Sequence, residues 1–307
     1  NGNVDLGINV SAYQASYARS AYIARGGTLN GNLTFGAGDD TLIVVGNSTG
    51  VTGTIDAGGG RNTYAQLFTS SSSIDVTGTS LPATFQAYAI GASGADTTLT
   101  VTGPSAGLSS PISFFGNGTI DNKANVNAAA AGQPANTVQL GALDSMVGTT
   151  GGLSFVNDAV LADGVSGSLR GFTNNGTVTA GQYAIPVRLE AVAGSDFSFN
   201  NTGQIHAQAG TGAGYYYPAP MVSLLYYGAE ALNSATIANS GSISDGGLYT
   251  SLIVNQLDVT NSGTISVPPG NPYYPVNALG INAYVNGSGI GTVPKGSFTK
   301  LTNTARS

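Results

Sequence analysis

The chain has no cysteine, no tryptophan, one histidine and very little charge. Asp, Glu, Lys and Arg together make up 8% of its 307 residues, against about 25% in an average soluble domain. Each shortage excludes something. Absent thiols fit a chain that crosses an oxidising compartment, and also a cytosolic chain that lacks cysteine by chance. The nine Lys and Arg are dispersed and the net charge is −6, so no basic stripe exists to neutralise the phosphates of a nucleic acid. Helical bundles need charged outer faces, and this chain cannot supply them. No apolar run reaches the length of a membrane-spanning helix. Proline is scarce too: 12 residues beside 46 Gly, with no triplet period, which excludes collagen.

What is present is apolar enough to fold. Hydrophobic residues make up 41% of the chain, with 15 Tyr and 10 Phe, too many for a disordered polymer. The remainder is mostly Gly, Ser, Thr and Asn, the composition of an all-β chain wetted by uncharged polar groups.

A short phrase recurs: Asn, a small polar residue, Gly, any residue, then Ile or Val. It is seen at 174–178, 201–205, 239–243 and 261–265, with a looser copy at 116–120. From Gly118 to Gly176, Gly203, Gly241 and Gly263 the steps are 58, 27, 38 and 22 residues. The smallest, 22, is expected to be the basic unit, with loops making up the excess. Asn and Gly tolerate the left-handed backbone of a sharp turn, so the phrase is expected to form a corner between strands. Stacked copies would align Ile and Val into an apolar ladder and Asn into a hydrogen-bonded one. Short period-2 strands are expected at 41–45, 98–101, 187–189, 197–199, 221–225, 235–237, 251–254 and 257–259, with excursions at 103–111 and 127–136.

Three short strands per coil describe a parallel β-helix. At about 22–30 residues per coil, roughly ten to thirteen rungs are expected, in a rod about 50–60 Å long. Residues 1–25 are expected to be an N-terminal extension or cap: one alternating strand carried by Val4, Leu6, Ile8 and Val10, then a short helix. Residues 26–307 are expected to be one β-helix domain.

The phrases FTNNGTVTA, IANSGSISD and VTNSGTISV, with FGAGDDTLIVVGNSTGVTGTIDAGGG near the start, resemble the passenger domains of bacterial autotransporters. The resemblance covers most of residues 26–303. It implies a right-handed β-helix displayed on, or released from, the outer surface of a Gram-negative bacterium.

Candidate sites are few. Residues 36–42 have the form G-x-G-x-D-x-U of calcium-binding β-rolls, and residues 58–64 repeat the frame with Asn62 in place of Asp40. Asp39, Asp40 and Asn62 are therefore the one candidate calcium set. β-Rolls repeat the motif in tandem, however, and here each copy stands alone. The simpler reading is a Gly-Asp corner whose carboxylate satisfies backbone N–H groups, and no cofactor is expected. A polysaccharide lyase or hydrolase would need clustered acids. Asp39, Asp40 and Asp56 beside Arg61, or the surroundings of Arg188, are the places to look. With His206 alone and no nucleophile elbow, the expectation is no enzyme.

The tyrosines suggest a contact surface. Tyr183, Tyr215, Tyr216, Tyr217, Tyr249, Tyr273 and Tyr274 all follow the corner glycine of their rungs and are expected to stack along one edge. Exposed Tyr clusters are enriched at interfaces; alternatively, the rings fold back over the coil. The ends give a second surface, since Leu301-Thr302-Asn303 copies Val259-Thr260-Asn261 and so begins another rung. Unpaired edges at Val4, Leu6, Ile8 and Val10 and at Leu301 and Asn303 would let copies stack head to tail, unless a longer chain was trimmed there. The expected function is an extracellular structural or adhesive β-helix. Its expected partners are further copies of itself, a glycan or a host surface. A carbohydrate-binding or carbohydrate-active β-helix is the alternative.

Overall fold

The computed structural model describes residues 2–6, 19–46, 50–77, 84–103, 112–126, 138–180, 185–207, 220–226, 228–266, 279–284 and 298–303. The chain coils as a parallel β-solenoid, and every pairing between the described strands whose register follows is parallel. One helical turn, Asp144–Val147, is the only α-helix among these residues.

Each coil has three faces. The first carries eleven described strands, from Ala21–Ala24 to Leu279–Tyr284. The second carries nine, from Ser72–Asp75 to Phe298–Asn303. The two ladders share the long strand Leu248–Asn261, which turns the corner between them. The third face carries five strands, from Val160–Leu161 to Thr264–Ile265. Nine strands are eight steps apart, so about eight turns carry both long ladders, slightly fewer than the rungs expected from sequence.

The interior follows from period 2. On the second face Phe155, Phe172 and Phe199 are in register and point inward. Their rings stack at 6.1 and 5.9 Å with interplanar angles of 12° and 11°, and Ile237 and Val259 continue the column. Two residues further along each strand, the same inward direction holds Asn.

Asn122, Asn157, Asn174, Asn201, Asn239 and Asn261 are all buried. Each Nδ2 donates to the Oδ1 of the next rung, at 3.1, 2.8, 2.8, 2.8 and 2.7 Å in order. A carboxamide has both a donor and an acceptor, so it can pass a hydrogen bond along a stack of any length. The expected asparagine ladder is thus present, and longer than the repeated phrase indicated. Its smallest step is 17 residues, from Asn157 to Asn174, and not 22.

Two sequence expectations need correction. The loose copy at 116–120 is not this corner. It lies between the first and second faces, and Ile120 registers with Phe155 on the second face. In contrast, Val178, Ile205, Ile243 and Ile265 sit on the third. Nor are the corner glycines left-handed, since Gly176, Gly203, Gly241 and Gly263 are not among the residues of positive φ. They are glycines because the rungs come close. A Cβ on Gly203 would stand 2.0 Å from the carbonyl oxygen of Gly176.

The N-terminal segment also differs. Val4–Asp5 is not an unpaired strand ahead of the rungs but pairs with Leu33–Thr34. Val4 and Leu6 pack on the apolar cluster of Leu33, Phe35 and Leu42. Residues Ala21–Ala24 form a strand of the first face, where a helix was expected. Ile8, Val10 and residues 11–18 lie outside the described residues, as do 104–111 and 127–136 of the expected excursions.

The ladder makes a direct demand on stability. Asn201→Ala would strip the Oδ1 of Asn239 of its donor inside the core, which costs about 1–3 kcal/mol. Asn175→Ala, exposed on the neighbouring wall, should cost under about 0.5 kcal/mol. Guanidinium unfolding of the two variants separates them; equal midpoints would deny the ladder a structural role.

Candidate functional site

Four surfaces stand out: a groove over the glycine corner, the Gly-Asp corner, a strap on the first face, and the tyrosines.

The groove runs along the edge between the second and third faces. It encloses about 460 Å³ and is lined by Asn175, Gly176, Thr177, Thr202, Gly203, Gln204, Gly241 and Ser242. Its walls are tied rung to rung. Asn175 Nδ2 donates to Asp158 at 2.7 Å, and the Thr202 hydroxyl donates to Asn175 Oδ1 at 2.7 Å. No charged side chain lines it. It can offer hydroxyls and amides to a polar surface, and no acid–base pair.

The candidate calcium residues part company. Asp39 is exposed; its Oδ1 accepts the Arg61 N–H at 2.8 Å and its Oδ2 lies 3.7 Å from Arg19. Asp40 turns inward and is 1% exposed. Its N–H donates to Asn62 Oδ1 at 2.8 Å and its own Oδ1 accepts the Ser20 N–H at 2.6 Å. The Asn62 N–H in turn donates to Gln86 Oε1 at 2.7 Å. This corner is therefore a ladder of backbone-to-side-chain bonds. Asp56 is exposed and accepts the Gly58 N–H, so Asp39, Asp40 and Asp56 do not share one side. Arg188 and Glu190 point outward from Val187–Ala191. Among the described residues, no three of His, Asp and Glu form a metal-binding group.

The strap was not foreseen. After Val138–Leu140 the chain leaves the coil and runs back across the first face. Leu143 and Val147 pack on Ile43, Ala65, Leu67, Ala89 and Phe115, which point outward from four successive rungs. Arg25 donates to the Val147 carbonyl at 3.0 Å, and Asp144 Oδ1 accepts the Gly116 N–H and the Thr149 hydroxyl. Burial raises the Asp144 carboxyl above its ordinary range, and those two donors pull it back. Gly91 is glycine because Leu67 and Phe115, on the rungs either side, fill the space of its side chain. A signal existed in the sequence: 42–45 and 114–115 are apolar at both parities, as expected of strands covered on both faces.

Of the tyrosines, Tyr183, Tyr215, Tyr216, Tyr217, Tyr273 and Tyr274 lie outside the described residues. Tyr249 lies within the strand Leu248–Asn261, in register with Ser223 and half-buried, and not in a loop ahead of it. Tyr64 and Tyr88, not singled out from sequence, stack at 6.2 Å on neighbouring rungs. Burial raises both phenols above the usual range. At the far end Leu301 and Asn303 register with Val259 and Asn261, so this segment does continue the stack.

No protein-family model, curated protein or solved structure matches the chain.

The strap can be loosened without touching the coil. Leu143→Ala removes its main apolar contact, at a cost of about 2–5 kcal/mol for a buried Leu. Limited proteolysis should then cut between residues 141 and 152 faster than in the parent, with other cuts unchanged. An unchanged rate would mean that the strap is held by something else.

Proposed function

We propose that this chain is a structural and adhesive rod of an outer bacterial surface, working through contacts along its length and at its ends and carrying out no reaction. The observation that bears most weight is that many of its polar groups bond from rung to rung. Asparagines, hydroxyls and the Gly-Asp corner bond along the axis, and the groove they border is uncharged. A hydrolase or lyase reading has less support, since Asp40 faces the core and Asp39 is engaged by Arg61 and Arg19. Display outside the cell rests on the resemblance to autotransporter passengers, together with the low charge and absent cysteine. A carbohydrate-binding role has one observation in its favour: the groove walls carry hydroxyls and amides and no charged side chain.

The ends supply the assembly part of the reading. Among the described residues, the one strand pairing of Ala21–Ala24 is with Thr41–Val45. A strand edge with one neighbour is a template for another strand. A second copy presenting Leu279–Tyr284 and Phe298–Asn303 would continue the stack. Such a contact is heterologous and does not close, so it gives filaments.

Analytical ultracentrifugation with negative-stain imaging tests this. Oligomers lengthening end to end with concentration are expected, and Ala21→Lys, which puts a charge on the first-face edge, should suppress them. A rod that stays monomeric at every concentration contradicts the assembly reading.

A further inference from the structure

Asp40 and Asn62 occupy the same place on successive rungs, each one residue before a first-face strand, with Thr41 in register with Thr63. Asn62 uses its whole carboxamide. Oδ1 accepts the Asp40 N–H, and Nδ2 donates to the carbonyls of Ala57 at 2.8 Å and Gly59 at 2.9 Å. Asp40 reproduces half of this, because its Oδ1 accepts the Ser20 N–H. The carbonyls at the same offsets, five and three residues upstream, are those of Phe35 and Ala37. Its other carboxylate oxygen, Oδ2, is buried and has no hydrogen-bond partner among the described residues.

An ionised carboxylate only accepts, so a buried oxygen left without a donor costs more ionised than protonated, and the Ser20 and Gly36 groups offset only part of that cost. Charge nearby does not relieve it. Arg19, from the rung before, faces Asp39 at 3.7 Å across the exposed surface. Arg61, from the rung after, meets Asp39 through its backbone N–H. Asp39 itself is a second negative charge beside Asp40. Among the described residues no ion pair includes Asp40.

We infer that this corner is a proton-binding site: it is built for the neutral Asp40 acid, whose Oδ2–H takes the place of the Asn62 amide and donates to the carbonyls of the 35–37 turn. The first rungs then tighten on acidification. Burial is the main cause raising the Asp40 carboxyl, and Asp39 adds to it; the Ser20 and Gly36 N–H groups and the Ser20 hydroxyl oppose it. An acid with a raised folded pKa keeps a proton that the unfolded chain has already released. Its stabilising contribution is therefore full below the ordinary Asp value of about 3.9 and is lost as pH rises through the folded value. Asp144, also raised by burial, gives a dependence of the same sign, so the comparison must be made against a variant that keeps Asp144.

Asp40→Asn in the full chain is that variant, since it writes the Asn62 solution into the preceding rung. Thermal midpoints of parent and variant are measured from pH 3.5 to 8, with a 13C NMR titration of the Asp40 carboxyl in the parent. The parent is expected to lose stability relative to the variant as pH rises, and the Asp40 carbon to titrate above those of the exposed aspartates. A variant less stable by the same amount at every pH overturns the proposal. So does an Asp40 carbon that titrates in the ordinary range, a readout that stands even if the variant fails to fold. Calcium chloride at pH 8 is the third arm. A midpoint raised in the parent but not in Asp40→Asn would show that the corner holds a cation in place of a proton.

Discussion

The structure depends on a single constraint: in a parallel solenoid, each position has its counterpart about 4.8 Å away on the next rung, so a residue repeated in register meets its own kind. A side chain is tolerated only if it can live beside its own kind. Phenylalanines satisfy this by stacking, as Phe155, Phe172 and Phe199 do. Asparagines satisfy it by pairing donor with acceptor, as Asn122 to Asn261 do. Like charges do not, because repeated in register they repel. The scarcity of charge is a consequence of the fold, and the ion pairs among the described residues, Arg19 with Asp39 and Lys123 with Asp121 and Asp158, lie toward the outside.

The asparagine ladder has a direction. Every Nδ2 donates toward the later rung, so the five carboxamide bonds point the same way and polarise one another. The earlier rungs do not use it. In the ladder's place they carry Val101 and Ile74, in register with Asn122 and with each other. They hold their polar ladder at another corner, through Asp40, Asn62 and Gln86. The two halves of the rod thus solve the same problem at different corners, and the strap that leaves the coil after Leu140 braces the earlier half from outside.

Much of this was legible in the sequence, for physical reasons. The Asn-x-Gly phrase exposed the corner because a bonded stack repeats its residue, and strict alternation such as Val187-Arg188-Leu189-Glu190 exposed a strand with one buried face. The phrase still misled at Gly118. The ladder's true signature is an apolar residue, any residue, then Asn, which Ile120-Asp121-Asn122 and Phe155-Val156-Asn157 share. Their corners have Ala124 and Ala159 where later rungs have glycine, so a search anchored on glycine missed them. The strap was missed because its cause is distributed: Ile43, Leu67, Ala89 and Phe115 face outward on separate rungs, and only the coil brings them together. The inward turn of Asp40 was not legible either, because the motif gives its neighbours in sequence but not the Ser20 N–H it meets on the rung before.

The claim that buried carboxamides bind rung to rung is tested most directly by exchange of their own protons. In a 15N-labelled sample placed in deuterated buffer, the side-chain amides of Asn122, Asn157, Asn174, Asn201 and Asn239 should keep their proton signals long after that of exposed Asn175 has gone. Loss of all six signals at one rate would contradict the ladder and the account built on it.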